Sequence, residues 1–329
     1  MKIALDAMGG DYAPSEIVQG AFRAAEAYPE LHIILVGQKD KILEHIPGNT
    51  LKTNMEIYEA TEVIAMDEQP AAAIKKKKDA SIVVATRLVK EGYADALVSA
   101  GSTGAQMAAA LLILGRIKGI NRPAIATVLP TLKKGKLLLD VGANPDAKPE
   151  NLLQYGIMGS IYAEQILGLN NPRVALLNIG SEEGKGNELV RAAYDLFKEA
   201  PFNFIGNIEG RDIPYGTADV IVCDAFVGNI VLKTIEGMAS SLFELIKEKI
   251  TLNTSRKIGA MLIKPGLKEI AQTMDYSEYG GAPLLGVNGT SIICHGSSKA
   301  KAIFNAVRVA KECVEINIPE KINSSLEII

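Results

Sequence analysis

"DALVSAGSTGAQMAAALLIL", residues 95–114, carries the pattern that sets the fold class. A short apolar run, Ala96-Leu97-Val98, ends in the small polar turn Ser99-Ala100-Gly101-Ser102, and an apolar-rich stretch opens at Thr103. A continuous rather than alternating apolar run fits a strand covered on both faces. Hydroxyls at 102 and 103, just before the periodic stretch, fit a helix start. The same order recurs at "KIALDAMGGD" (2–11), "HIILVGQKD" (32–40), "KLLLDVGANPD" (136–146), "VALLNIGSEEG" (174–184) and "DVIVCDAFVGN" (219–229). The stretches between read as helices over Ser15–Tyr28, Ser81–Glu91, Thr103–Leu114, Glu150–Leu167, Asn187–Glu199 and Asn229–Lys249. Strands alternating with helices give an α/β fold, a mostly parallel sheet with helices on both faces. No internal repeat or low-complexity linker divides the chain, so residues 1–329 read as a single α/β domain.

Composition narrows the function. A chain of 329 residues that is 48% hydrophobic can bury a large core. Tryptophan is absent, aromatics make up 5% and the formal charge is −3, so neither base stacking nor bulk electrostatics favours nucleic acid as a partner. Three scattered cysteines, Cys223, Cys294 and Cys313, suit buried thiols in a reducing cytosol, and three histidines make a His-rich metal site improbable. The apolar start of "MKIALDAMGG" is too short for a signal peptide, and no window is apolar for the roughly 18 residues of a membrane span. A soluble cytoplasmic protein is expected.

"NIGSEEGKGNE", residues 178–188, tests whether the ligand is a nucleotide. A P-loop needs four residues between its first glycine and Gly-Lys, then Ser or Thr for magnesium. Here only Ser181, Glu182 and Glu183 separate Gly180 from Gly184-Lys185, and Gly186 follows the lysine. Two glutamates would also face the phosphates. What survives is a glycine-rich turn with Lys185 between Gly184 and Gly186, able to hold a smaller anion. GxGxxG, GxSxG and a recognisable Cys-His pair are all missing, which argues against a dinucleotide and against a serine or cysteine nucleophile.

In open parallel sheets, ligands bind beyond the carboxyl ends of the strands. The repeated pattern puts polar residues there: Asp6 and Asp11, Ser102 and Thr103, Asp140 and Asn144, Lys185, then Asp224 and Asn229. One site at that edge is therefore expected. Ser102-Thr103-Gly104 also reads as an ordinary helix cap, as does Asn229 after Gly228, although an Asn amide could donate to a developing oxyanion. His295, at the end of "SIICHGSS", reads as a structural histidine that could line the site. From the residues alone, this is an α/β enzyme with a phosphate-sized anion site and no obvious cofactor.

Longer blocks go further. "IALDAMGGDYAPSEIVQGA", "DALVSAGSTGAQMA", "LLLDVGAN", "LLNIGSEEGKGNE", "CDAFVGNIVLKT", "YGGAPLLGVNG" and "HGSS" occur in order from residue 1 to about 315. Together they resemble the bacterial phosphate acyltransferase family of phospholipid synthesis. The resemblance implies transfer of a long fatty acyl chain from acyl carrier protein to inorganic phosphate. A membrane glycerol-3-phosphate acyltransferase would act downstream on the acyl phosphate. It also implies a fold akin to isocitrate and isopropylmalate dehydrogenases and to phosphotransacetylase, a homodimer, and no cofactor or metal. It makes Lys185 and Asn229 the residues relied on for catalysis. Lining roles for phosphate or substrate fall to Ser102, Thr103, Gly104 and Asp140, with Asn144, Gly184, Gly186, Asp224 and His295. Ser102 stands where many relatives carry Asn, which weakens a catalytic role for that side chain.

The segment 254–274, with "SRKIGAMLIKPGLKEIAQTM", reads as a helical hairpin broken at Pro265-Gly266. Its tip would carry Ile258, Met261, Leu262 and Ile263 between Arg256, Lys257, Lys264 and Lys268. By family analogy this tip would hold the protein peripherally on the inner face of the cell membrane; without it, a dimer contact is the plainer reading. Lys75–Lys78, by default a solvated helix face, and Lys133-Lys134 are candidates for docking acidic acyl carrier protein. The rivals are a phosphotransacetylase using acetyl-CoA, a non-catalytic membrane-associated scaffold and a dehydrogenase.

Overall fold

The computed structural model describes residues 1–274 and 278–326. Six strands follow the repeated pattern: β1 (Lys2–Asp6), β2 (His32–Gly37), β4 (Ala96–Ser99), β6 (Lys136–Leu139), β7 (Arg173–Asn178) and β9 (Val220–Val222). Five more, β3 (Met55–Glu59), β5 (Ala124–Leu129), β8 (Asn203–Glu209), β10 (Ala282–Leu285) and β11 (Thr290–Ile293), lie outside it. All eleven form one sheet in the order β3-β2-β1-β4-β11-β10-β5-β6-β9-β7-β8.

Helices cover both faces. Along β1, Ile3 and Leu5 enter a core shared with α1 (Ser15–Ala27), the short α2 (Lys39–Leu43) through Ile42, and α10 (Ala300–Ile316). Ala4, between them, points into a separate core under α3 (Pro70–Lys76), α4 (Ser81–Lys90) and α5 (Thr103–Ala109). The first core continues along the same face beneath α6 (Pro149–Gln165), α7 (Glu188–Lys198) and α11 (Ile318–Leu326). Each large aliphatic side chain so buried contributes roughly 1.5–3 kcal/mol, which is why the strands read as unbroken apolar runs. The opposite face carries two cores. The second of them, with Ile125, Leu138 and Ile221, lies under the start of α8 (Ala225–Ile250). The gap between α5 and α8 on that face is where the site forms.

The sheet corrects one expectation. β10 is antiparallel to both β11 and β5, and β5 is antiparallel to β6. The half β6-β9-β7-β8 therefore runs opposite to β3-β2-β1-β4-β11, and the carboxyl ends of the strands do not share an edge. The polar turns after β6, β7 and β9 cannot all converge with those after β1 and β4.

Helix limits agree with the sequence reading to within a few residues, with three differences. α5 passes into a π-turn over Ala110–Leu114. α8 begins at Ala225, capped by the Asp224 carboxylate, which accepts from the Val227 N–H at 3.0 Å. Asn229 is therefore one turn inside the helix rather than its first residue. Finally, 254–274 is not a hairpin: α9 (Thr254–Met274) is one helix that includes Pro265. Asn253 accepts from the Arg256 N–H at 2.9 Å at its start, so the chain reverses at 251–253 and α9 is the return arm of a hairpin whose first arm is α8. With 26 residues, α8 is about 39 Å long, and past its first turns it leaves the body of the sheet.

Candidate active site

The cleft between α5 and α8 has a volume of about 580 Å³. Its floor is the middle of the sheet, with Ile125 and Thr127 of β5, Ala282 of β10 and Ile293 of β11. One wall is the turn Gly101–Gly104 after β4. The other is one face of α8, with Asn229, Leu232, Lys233 and Glu236. Asp11 and His295 close the rim, where the Asp11 N–H donates to the Gly296 carbonyl at 2.8 Å.

Buried polar groups hold these walls. Ser99 donates to the Asp6 carboxylate at 2.7 Å and accepts from the Gly101 N–H at 3.0 Å, which fixes the 99–101 turn against β1. Ser102 accepts from Ala105 N–H at 3.4 Å as the cap of α5. Opposite, the fully buried Asp140 carboxylate accepts four backbone N–H groups, from Ile125, Gly142, Ala143 and Asn144, at 2.8–3.1 Å. Burial pushes this carboxyl above the usual range, and the four N–H groups oppose that shift. Asp140 thus shapes the Val141-Gly142 stretch that lines the cleft, while its own side chain faces away from it. Gly228 is needed for the same packing, because a Cβ there would lie 1.8 Å from the Asp140 carbonyl oxygen. Next to it, Asn144 donates to the Tyr155 hydroxyl at 3.3 Å, and its carbonyl accepts from the Ala225 N–H at 3.2 Å.

The residues singled out by sequence therefore separate into three groups. Ser102, Thr103, Gly104, Asn229 and His295 come together in the cleft. Asp140, Asn144 and Asp224 form the frame behind its wall. Lys185, Gly184 and Gly186 are on an exposed loop after β7 and are not among the residues lining the cleft. There the Lys185 carbonyl accepts from the Asn178 amide at 3.0 Å. Gly186, at φ +94°, leaves no room for a Cβ, which would lie 2.5 Å from the Asn178 oxygen. His295 accepts from the Ser297 N–H at 3.3 Å through Nδ1, which also lies 2.7 Å from the Ser297 hydroxyl.

Sequence reasoning passed over two parts of the site. Lys233 and Glu236, an ion pair at 2.8 Å, face the cleft from α8. Their spacing of one and two helical turns from Asn229 was the available signal. The second is an apolar cavity of about 270 Å³ that continues from the cleft, sharing Thr127, Leu232, Glu236 and Gly280 with it. Its walls include Leu129, Tyr162, Ile235, Ala239, Phe243 and Met274, so β5 and both arms of the hairpin enclose it. Along α8 the division is regular. Leu232, Ile235 and Ala239 look into the cavity, and Asn229, Lys233 and Glu236 form the polar ridge beside them. Among the described residues, no cluster of three or more His, Cys, Asp or Glu side chains is placed to hold a metal ion.

The fold defines the class. It is shared with a phosphotransacetylase from Streptococcus pyogenes, with a TM-score of 0.61 at 17% identity over 96% of this chain and 94% of that one. It is also shared with 4-hydroxythreonine-4-phosphate dehydrogenase from Klebsiella pneumoniae, with a TM-score of 0.52 at 12% identity over 95% of this chain and 98% of that one. Within that class the chain belongs to the family described as fatty acid synthesis protein, whose model matches residues 1–321. A phosphate acyltransferase from Desulfitobacterium hafniense is 69% identical over 99% of this chain and 98% of its own length.

Proposed function

We propose that this chain is a phosphate acyltransferase that moves a long-chain fatty acyl group from acyl carrier protein to inorganic phosphate. The observation that carries the reading is the apolar cavity of about 270 Å³ opening onto the polar cleft. An acetyl group would leave such a cavity empty. A methylene is about the size of a water molecule, roughly 30 Å³ each, so the cavity suits a chain of several methylenes. Each one buried there contributes about 0.8 kcal/mol to binding.

In this reading an oxygen of hydrogen phosphate attacks the thioester carbonyl carbon, the C–S bond breaks, and the proton given up by the phosphate goes to the departing carrier sulfur as acyl phosphate forms. Phosphate is already a nucleophile, so no side chain has to be activated. The protein holds the two reactants together and stabilises the tetrahedral oxyanion. Asn229, on the polar ridge beside the mouth of the cavity, supplies an amide donor for that oxyanion. Lys185 is assigned to phosphate or oxyanion charge on the strength of the family resemblance alone, because it is not among the residues that line the cleft.

The remaining assignments belong to the same proposal. Residues 1–329 act as one α/β acyltransferase domain. Exposed Lys75, Lys76, Lys78, Lys133 and Lys134 offer a basic surface for an acidic carrier protein. Among the described residues no helix is long and apolar enough to cross a membrane. Ile258, Met261, Leu262 and Ile263 are exposed near the hairpin turn, Leu262 by 80%, beside Arg256, Lys257, Lys264 and Lys268. That combination suits peripheral docking on an anionic membrane from the cytoplasm, where a glycerol-3-phosphate acyltransferase takes up the product. The exposed stripe Phe226, Ile230, Met238 and Leu242 on α8 is assigned to a second copy of the chain.

The test mixes the purified protein with long-chain acyl carrier protein and inorganic phosphate, and traps acyl phosphate with hydroxylamine. Acetyl-CoA runs in parallel. Phosphate-dependent hydroxamate from the long-chain substrate alone is expected. Product from acetyl-CoA alone would move the protein to the phosphotransacetylases, and no product from either would leave a scaffold.

A further inference from the structure

An acyl-transfer cleft has to hold a phosphate dianion against a thioester, and the cation for that purpose is visible in the geometry. Among the described residues lining the cleft, Lys233 is the one lysine or arginine. It lies four residues after Asn229 on the same face of α8, which puts the two Cβ atoms about 5–6 Å apart. Its ammonium is 2.8 Å from the Glu236 carboxylate, which lines both the polar cleft and the apolar cavity. The lysine side chain is 46% exposed and the glutamate 24%, so the pair stands at the boundary between the cleft and solvent. Pairs this open are held weakly, and a dianion offering charge-assisted hydrogen bonds can displace the carboxylate.

We infer that Lys233 is a phosphate-binding cation, supplied by the cleft wall itself whatever Lys185 adds from its loop, and that Glu236 is its resting counter-ion, displaced when phosphate enters. The inference rests on the acyl-transfer reading for its kinetic consequence, but not for the binding itself. The polar ridge of α8 then has an order. Asn229 meets the developing oxyanion, Lys233 the attacking phosphate, and Glu236, beside Leu232 and Ile235, stands at the mouth of the acyl cavity. Because Glu236 competes with phosphate for the same ammonium, the two residues have opposite effects. Loss of Lys233 weakens phosphate binding, and neutralising Glu236 strengthens it. A pair that merely steadied the helix would not behave this way, since breaking it from either side would have the same effect.

The experiment compares the wild-type chain with Lys233→Gln, Lys233→Arg and Glu236→Gln, by inorganic phosphate titration followed with phosphorus NMR and by steady-state kinetics at a saturating concentration of the acylated carrier protein. Lys233→Gln is expected to raise Kd and KM for phosphate at least 10-fold, with Lys233→Arg recovering part of the loss. Glu236→Gln is expected to lower both at least 2-fold. Equal phosphate affinity in wild type and Lys233→Gln, or weaker binding in Glu236→Gln, overturns the assignment. So does a wild-type protein that binds no phosphate. If the wild type binds phosphate but forms no acyl phosphate, the acyl-transfer reading fails, and the phosphate titration still decides the role of Lys233. If Lys233→Gln does not fold, the direction of the Glu236→Gln shift decides it.

Discussion

Filling the apolar cavity should shorten the acyl chain that the enzyme prefers. Ala239 lines that cavity from α8, opposite β5 and beside Phe243, and its replacement by Phe adds six ring carbons. The added ring takes up roughly the space of four methylenes, on the order of 100 Å³ at ~30 Å³ each. That removes more than a third of the 270 Å³ available. Four methylenes left in water instead of in the cavity cost about 3 kcal/mol, or ~200-fold in kcat/KM for a long chain. A chain short enough to stop before the ring should lose little. The assay measures phosphate-dependent hydroxamate from hexadecanoyl and hexanoyl carrier protein with wild type and Ala239→Phe, alongside thermal unfolding of both. The ratio of the two kcat/KM values should shift by about two orders of magnitude toward hexanoyl. A ratio within ~3-fold of wild type, in a folded variant, would refute the assignment of this cavity to the acyl chain.

Lys185→Ala is expected to lose acyl phosphate formation while its circular dichroism and melting temperature stay those of the wild type; near-normal turnover would remove Lys185 from the reaction. Asp219→Asn should lower stability at pH 7 by about 3 kcal/mol in urea unfolding, because it strips the partner from buried Lys136, 2.6 Å away, and from Arg173, 2.9 Å away. Burial works against the Asp219 charge, but these two cations hold its carboxyl well below the usual carboxylate range. The stability it contributes is therefore present above the unfolded pKa of about 3.9 and is lost as pH falls from there toward the folded value. The gap between wild type and variant should close in acid, and a gap that is constant with pH would contradict the ion-pair account. Burial pushes the Cys223 thiol well above its ordinary range, and this side chain lines neither the cleft nor the apolar cavity. Native protein should leave this thiol unlabelled by iodoacetamide until denaturant is added, and prompt native labelling at this residue would contradict its burial.

Much of the site was legible because local chemistry specifies turns and caps. Ser102-Thr103 at the start of α5 and His295 at the end of β11 are polar groups next to apolar strands, and such groups lie at strand ends wherever the sheet goes. Asp140 had the same sequence signal and a different fate. Its carboxylate turns inward to the N–H groups of residues 125 and 142–144, because those buried donors need an acceptor. Nothing in "LLLDVGAN" shows whether the carboxylate faces a ligand or its own backbone. Lys233 was missed for the converse reason. A lysine on an exposed helix is ordinary until another element is placed against the same face.

The sequence by itself determined the class of architecture. Unbroken apolar runs alternating with helices require a sheet buried on both faces, and that is a property of each segment and its nearest neighbours. The long blocks from residue 1 to about 315 placed the chain in its family without any geometry. Only the tertiary structure decided the direction of the second half-sheet, because strand pairing joins residues as distant as Ile125 and Leu284, and nothing in either segment states the sense of the pair. It also decided that Pro265 lies within one helix, and that α8 and α9 return on each other to enclose an apolar cavity beside a polar cleft. Helix register, strand direction and the volume left between packed elements are all set by contacts across the fold, so they appear only when the chain is assembled.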